Sequence, residues 1–259
     1  MEKTLTGQEL PGPAGTGRWA GSFILRVFMI HFLRPFEPKA IRLLIFDLDG
    51  TLIDSRLDLI HSVNATLRHF RRPELPGDVI ASYVGDGAPA LVRRILGNDA
   101  GAEALLPQAL EYFLGYYRVH KLDHTTVFAG IPEALAALAA ASNGRPKMTM
   151  AVLSNKPVRP SRDIVEALGL GGYFVQTYGG NSFPTKKPDP LGAQTILQET
   201  GIAASAAMII GDSSIDVLTG RNTGMLTCGV TYGFAPHTLE DTPPDVVVDC
   251  PQDLMELFA

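Results

Sequence analysis

Cysteine, tryptophan and long runs of a single charge are nearly absent from this chain. Its 259 residues include 2 cysteines and 1 tryptophan. Cys228 and Cys250 lie far apart and lack metal-ligand spacing, which argues against a disulfide-stapled scaffold and a zinc module. They read as two thiols of a reducing compartment, hence a cytoplasmic protein, rather than as one disulfide. Net charge is −5 and no basic cluster appears, so the electrostatic footprint of a nucleic-acid binder is missing. No apolar run reaches bilayer-spanning length, and no membrane partner is expected. The nearest approach, Phe23–Leu33, is interrupted by Arg26 and His31 and lacks a small-residue cleavage site. It reads as an amphipathic surface segment, or as sequence around an alternative start at Met29. Met1–Ala20, rich in Gly, Pro and Thr, reads as disordered.

What is present is ordinary globular composition, 46% hydrophobic and 19% charged. The length suits one large domain, or a domain with a sizeable insertion. Short apolar runs at Arg42–Asp47, Met148–Ser154, Tyr173–Tyr178, Ala206–Asp212, Met225–Val230 and Asp245–Asp249 read as strands. Helical spacing fills Ile131–Ala141, Ser161–Leu168 and Asp189–Thr200. Such alternation predicts an α/β fold, a three-layer, Rossmann-like parallel sheet whose ligands bind beyond the carboxyl ends of its strands. Between Ser55 and Val127 the rhythm changes to helices alone: Asp58–Phe70, Pro76–Val84, Ala88–Leu96 and Glu103–His120. That stretch predicts an inserted all-helical cap.

The most informative segment is Leu43-Leu44-Ile45-Phe46-Asp47-Leu48-Asp49-Gly50-Thr51. An apolar strand runs into two carboxylates spaced two apart, so both start on one side of the chain as it leaves the sheet. Gly50 lets the backbone turn away. Carboxylates this close repel unless a cation or a shared proton holds them, which points to a metal site or an acid–base pair.

Asp47-Leu48-Asp49-Gly50-Thr51-Leu52 resembles the first signature of the haloacid dehalogenase superfamily. Three further signatures follow in order. Ser154-Asn155 ends the second core strand, where a hydroxyl and an amide can donate to phosphoryl oxygens, although Ser-Asn is also a common helix cap. Lys186-Lys187-Pro188 matches a lysine signature, with Lys187 directly before the proline. Gly211-Asp212-Ser213-Ser214-Ile215-Asp216 matches the fourth.

The resemblance covers residue 41 to the C-terminus. It implies a core of residues 41–55 and 127–259, a cap of residues 56–126, and an extension of residues 1–40 outside the family's domain. It also implies Mg²⁺ held by the Asp47 carboxylate, the Asp49 carbonyl and the Asp212 carboxylate, with Asp216 behind them. Asp47 would be the nucleophile, Asp49 the acid and base, and Lys187 the counter-charge. Thr51 would orient the turn or the Asp49 side.

Gly85–Val92, Tyr116-Tyr117 with His120, and Phe128–Ile131 further resemble the phosphoglycolate phosphatase branch. The implied substrate is a small phosphorylated metabolite, first of all 2-phosphoglycolate. A guanidinium binds a carboxylate bidentately, so Arg93 or Arg94 is a candidate to reach the substrate carboxylate, the alternative being that both lie on an exposed helix face. Pyrophosphatase, sugar-phosphate phosphatase and β-phosphoglucomutase chemistries share this core. A non-catalytic phosphate-binding module would have lost Asp47, Asp49 or Lys187. Monomer and homodimer remain equally open.

Overall fold

A computed structural model describes residues 30–98, 101–140 and 147–258. The expected disorder of Met1–Ala20 lies outside these residues. The chain opens with β1 (Ile30–Phe32), then β2 (Leu43–Phe46) and β3 (Ile53–Asp54). Four helices follow: α1 (Arg56–His69), α2 (Gly77–Ser82), α3 (Ala88–Leu96) and α4 (Ala102–His120). After β4 (Thr126–Val127) come α5 (Ile131–Ala139), β5 (Thr149–Leu153), α6 (Val158–Ala167), β6 (Gln176–Tyr178) and α7 (Leu191–Thr200). The chain finishes with β7 (Ala207–Gly211), α8 (Ser214–Thr223), β8 (Leu226–Val230), β9 (Val246–Val248) and α9 (Asp253–Leu257).

The main sheet has the order β1-β9-β8-β7-β2-β5-β6, parallel throughout except for β1. All six expected strands are in it. β2 sits between β5 and β7, with Leu43 opposite both Thr149 and Ala207. Chain order reverses there, so the connections leaving β2 and its neighbours part and leave a crevice at their carboxyl ends.

Residues of one strand alternate between two cores, as a period of two requires. Leu44, Phe46, Met150, Val152, Met208 and Ile210 face a cluster with Ile131, Leu135 and Leu138 of α5. Leu43, Ile45, Ala151, Leu153 and Ile209 face Ala193 and Ile196 of α7. Burial on both faces explains why these strands read as unbroken apolar runs. Fully burying a side chain such as Phe46 stabilises the fold by about 1.5–3 kcal/mol.

One segment departs from the sequence reading. That reading places residues 30–40 outside the core, yet Ile30, His31 and Phe32 pair antiparallel with Val248, Val247 and Val246. Three residues carry too little pattern to declare a strand, and the partner edge supplies the register. No disulfide joins Cys228 and Cys250. Among the described residues no helix is long and apolar enough to cross a membrane.

The four helices α1–α4 share a separate apolar core. Leu59, Val63 and Leu67 of α1 meet Leu91, Val92 and Ile95 of α3 and Ala109, Phe113 and Tyr117 of α4. Spacings of three and four place each set on one helix face. Both passages between this bundle and the sheet are joined. Ile53 pairs with Val127 and Asp54 with Thr126, antiparallel. The buried carboxylate of Asp58 accepts from the backbone N–H groups of His124 and Thr125 and from the Thr125 hydroxyl, at 2.7–3.1 Å. The first turn of α1 is thereby fastened to the returning chain.

Candidate active site

Asp47 continues the β2 ladder by donating its N–H to the Ile210 carbonyl, 2.9 Å away. Gly50 then turns the chain at φ +84°, and a Cβ there would collide with the Asp212 carboxylate. A non-glycine residue is therefore opposed by both backbone and space. The turn brings Asp47 and Asp49 to one cavity, together with Ser154, Asn155, Lys187 and Asp212. The cavity encloses about 60 Å³ at the carboxyl ends of β2, β5 and β7 and is roofed by Val84, Gly87, Leu91, Phe113 and Tyr117 of the helical bundle.

Lys187 is 5% exposed and sits between two carboxylates, its Nζ 2.8 Å from Asp47 Oδ1 and 2.6 Å from Asp216 Oδ1. Burial disfavours the ammonium, but Asp216 and Asp47 more than offset this and hold it charged. The other Asp216 oxygen accepts from the N–H and hydroxyl of Ser213, at 3.2 and 2.7 Å. Both oxygens are thus engaged, as suits a residue that orients the loop. Asp212 Oδ2 accepts from the backbone N–H groups of Phe234 and Ala235. Burial, reinforced by Asp216 and Asp47, pushes the Asp212 carboxyl up to about 7. Burial also pushes Asp47 up, against the pull of Lys187.

These residues fit a divalent cation. Asp47, Asp212 and Asp216 place oxygen atoms within 4.8 Å of one another. Three ionised carboxylates against the one ammonium of Lys187 leave a charge of −2, which a single divalent cation cancels. An all-oxygen donor set suits a hard ion such as Mg²⁺. The folded-state value for Asp212 is about 7 against 3.8 for the ordinary group. Between those values the folded protein holds a proton that the unfolded chain releases, so Asp212 makes stability fall as pH rises. Mg²⁺ should therefore raise Tm more at about pH 8 than at about pH 5. Differential scanning fluorimetry with Mg²⁺ and with chelator measures this, and equal shifts at both pH values would remove Asp212 from a metal site.

Two residues placed by sequence reasoning do other work. Arg94 does not line the cavity. Its guanidinium reaches the Asp86 carboxylate and the Tyr83 carbonyl on the outside of the bundle, and Arg93 pairs with Glu103 at 2.7 Å. Helical spacing fixes a residue's face, but local acceptors decide where these long side chains turn. Asn155 lines the cavity, yet its amide N–H groups donate to the Gly85 and Lys187 carbonyls, each at 3.0 Å. It joins the bundle to the lysine loop instead of waiting for a phosphoryl oxygen.

The Gly85–Gly87 turn is part of the same joint. A Cβ at Gly87 would come within 2.7 Å of the Asn155 carbonyl, and Lys186 donates to the Asp86 carbonyl. Ser154 is buried in the cavity wall, its hydroxyl accepting the Lys156 N–H at 3.3 Å. Thr51 is fully buried, and its hydroxyl has no hydrogen-bond partner among the described residues. Its carbonyl accepts from the Tyr232 hydroxyl, so Thr51 is a wedge in the turn.

Two residues to which the sequence gives no role act on Asp49. The Ser55 hydroxyl donates to Asp49 Oδ1 at 2.5 Å. Lys156 Nζ donates to Asp49 Oδ1 and Oδ2 at 2.8 and 2.9 Å and lies 4.6 Å from the centre of the Tyr117 ring. Lys156 directly follows the Ser-Asn pair, two residues beyond Ser154. That spacing is the one local sign of its position.

Comparison with known proteins agrees with this geometry. A family model described as haloacid dehalogenase-like hydrolase matches residues 44–230. The phosphoglycolate phosphatase of Neisseria gonorrhoeae is 36% identical over 220 residues, covering 82% of this chain and 90% of that protein. That of Chromobacterium violaceum is 36% identical over 200 residues, covering 76% and 88%. A solved structure described as a predicted phosphoglycolate phosphatase, from Haemophilus somnus, superposes with a TM-score of 0.78 at 25% identity. It covers 85% of this chain and 99% of that one. The signatures, the sheet and these matches together place the chain among the haloacid dehalogenase-like hydrolases.

Proposed function

We propose that this protein hydrolyses a small phosphate monoester, 2-phosphoglycolate, to glycolate and phosphate through an aspartyl phosphate on Asp47. The observation that carries the reading is the pairing of Asp47 with Lys187 in the cavity that Asp49 also lines. The names of the relatives supply the substrate. The division into a core of residues 41–55 and 127–259 and a cap of residues 56–126 belongs to the same reading, and so does a cytoplasmic setting.

The steps follow from the residues. An Asp47 oxygen attacks phosphorus in line while the ester P–O bond breaks. Asp49, as acid, gives its proton to the leaving glycolate oxygen. It then takes a proton from the water that attacks the aspartyl phosphate, and phosphate leaves as Asp47 is restored. Lys187 offsets charge where an anionic nucleophile meets an anionic ester, and the Ser154 hydroxyl is available to a phosphoryl oxygen. Mg²⁺, held by the Asp47 and Asp212 carboxylates and the Asp49 carbonyl, would supply electrostatic neutralisation of the phosphoryl group. The roof of Leu91, Phe113 and Tyr117 limits water to what hydrolysis needs.

Phosphate release with Mg²⁺ from 2-phosphoglycolate, pyrophosphate, hexose phosphates, nucleotides and p-nitrophenyl phosphate tests the reading. The expected result is a kcat/KM for 2-phosphoglycolate well above the rest. A different leading ester would keep the chemistry and discard the substrate. No release from any of them, with metal bound, would discard both.

A further inference from the structure

The cavity is rich in carboxylates and poor in groups that could receive one. If the substrate carries a carboxylate beyond its phosphoryl group, a cation must meet it. The arginines of α3 do not, because Arg93 and Arg94 are paired on the outer face. Of the two lysines that line the cavity, Lys187 is already shared by Asp47 and Asp216. Most of the cap wall is apolar, including Leu59, Val84, Leu91, Phe113 and Leu114.

Lys156 remains. It is 6% exposed, and its side chain is locked by Asp49 on one side and the Tyr117 ring on the other. An ammonium carries three N–H donors, and Asp49 is the carboxylate that this one meets. Beside Lys156, Tyr117 is 3% exposed, and among the described residues its hydroxyl proton has no acceptor. Burial pushes that phenol up to about 12, so it keeps its proton and remains a donor. Its ring is fixed by stacking on Phe113, with centroids 5.9 Å apart. A buried hydroxyl with no acceptor is uncommon in a folded protein, and a ligand in the cavity can supply one.

We propose that Lys156 and Tyr117 form the subsite for a carboxylate on the non-phosphoryl end of the substrate. This rests on the phosphatase reading above and deepens it by assigning the residues that meet the end of the substrate away from phosphorus. The two donors come from different parts of the fold, Lys156 from the loop after β5 and Tyr117 from α4. An anion held by both ties cap to core, so a bound carboxylate favours the closed cavity. An ester without it lacks that tie. Both residues are binding groups. The bond changes stay with Asp47 and Asp49.

The test compares 2-phosphoglycolate with ethyl phosphate, which replaces the carboxylate by a methyl group. The quantity read is the ratio of kcat/KM for the two esters. Lys156→Met should lower the ratio by roughly 10- to 100-fold, the range of a charge-assisted hydrogen bond, chiefly by raising KM for the carboxylate-bearing ester. Tyr117→Phe should lower it by roughly 3- to 10-fold. Because Lys156 also holds Asp49, kcat is expected to fall for both esters in Lys156→Met, and the ratio separates the two effects. A ratio that survives in both variants, with kcat falling in parallel, would overturn the subsite and leave Lys156 as a positioning residue for Asp49. Should Lys156→Met fail to fold by circular dichroism, Tyr117→Phe decides alone, and an unchanged ratio there overturns the proposal. A wild-type ratio near one, or hydrolysis of neither ester, would sink the carboxylate substrate and the subsite with it, whereas the phosphatase reading falls only if none of the five substrates above releases phosphate.

Discussion

Asp47→Asn should lower kcat by about 10⁴-fold or more, the scale seen when a covalent nucleophile is removed, with the fold intact. Asparagine matches aspartate in shape and keeps an oxygen for Lys187, but a neutral amide oxygen does not displace an alkoxide from phosphorus. Burial already drives Asp47 toward its protonated form, with Asp216 and Asp49 adding to the effect. The neutral side chain should therefore be tolerated, and Tm in chelator should equal or exceed that of the wild type. The gain in Tm on adding Mg²⁺ should shrink, because one of the charges that calls for the cation is gone. Two measurements decide the role of Asp47. One is kcat. The other is acid-stable phosphorus on the protein after a quench with labelled substrate, expected for the wild type and absent from the variant. Turnover within tenfold of the wild type would take the nucleophile's role from Asp47.

Lys187→Met should cost both stability and rate. The side chain is 5% exposed and is the ammonium shared by Asp47 and Asp216. Removing one partner of a buried ion pair typically costs about 3–5 kcal/mol, because it leaves charge in a medium that solvates it poorly. Asp47 and Asp216 would then lose the ammonium they share, with Asp212 close by, and the sign of every remedy follows. Lowering the pH protonates the carboxylates and should narrow the stability gap to the wild type. Adding Mg²⁺ should narrow it as well. Urea denaturation at two pH values, with and without the cation, reads all four conditions. The rate should fall by roughly 10²- to 10³-fold, the usual loss for one preorganised charge facing a developing anion. A variant as stable as the wild type in chelator at neutral pH would show that the carboxylates do not depend on Lys187.

How much of this is legible from residue order depends on the range of the interaction. Phe46-Asp47-Leu48-Asp49-Gly50-Thr51 is a local statement, a strand, a turn and two carboxylates, and all its parts meet in the structure. The strands are legible because burial on both sides leaves an unbroken apolar run. The helices of the bundle are legible from spacings such as Leu59, Val63 and Leu67. Lys156 is 107 residues from Asp49, and its position beside a helix start looks like ordinary capping chemistry. Arg94 misleads for the opposite reason. Its face is readable, but its rotamer is set by Asp86 and the Tyr83 carbonyl. Asn155 reads as a phosphate donor only while its amide is idle, and two backbone carbonyls claim it.

The ribbon of Ile53–Asp54 with Thr126–Val127 has a consequence for how the molecule can change over time. Closing a long loop costs entropy that grows only slowly with its length, and here the strand pairing fixes the loop's ends side by side whatever lies between them. To the sheet, the helical bundle is the contents of a hairpin. Helices in the bundle can lengthen and turns can shift while the ladder of β2, β5 and β7 keeps its register, provided the joints at Gly85–Gly87 and Tyr117 are kept. The signatures on the sheet can therefore stay fixed while the roof that meets the substrate is rewritten. A fold built this way keeps its bond-changing residues on the sheet and lets the bundle vary what closes over them.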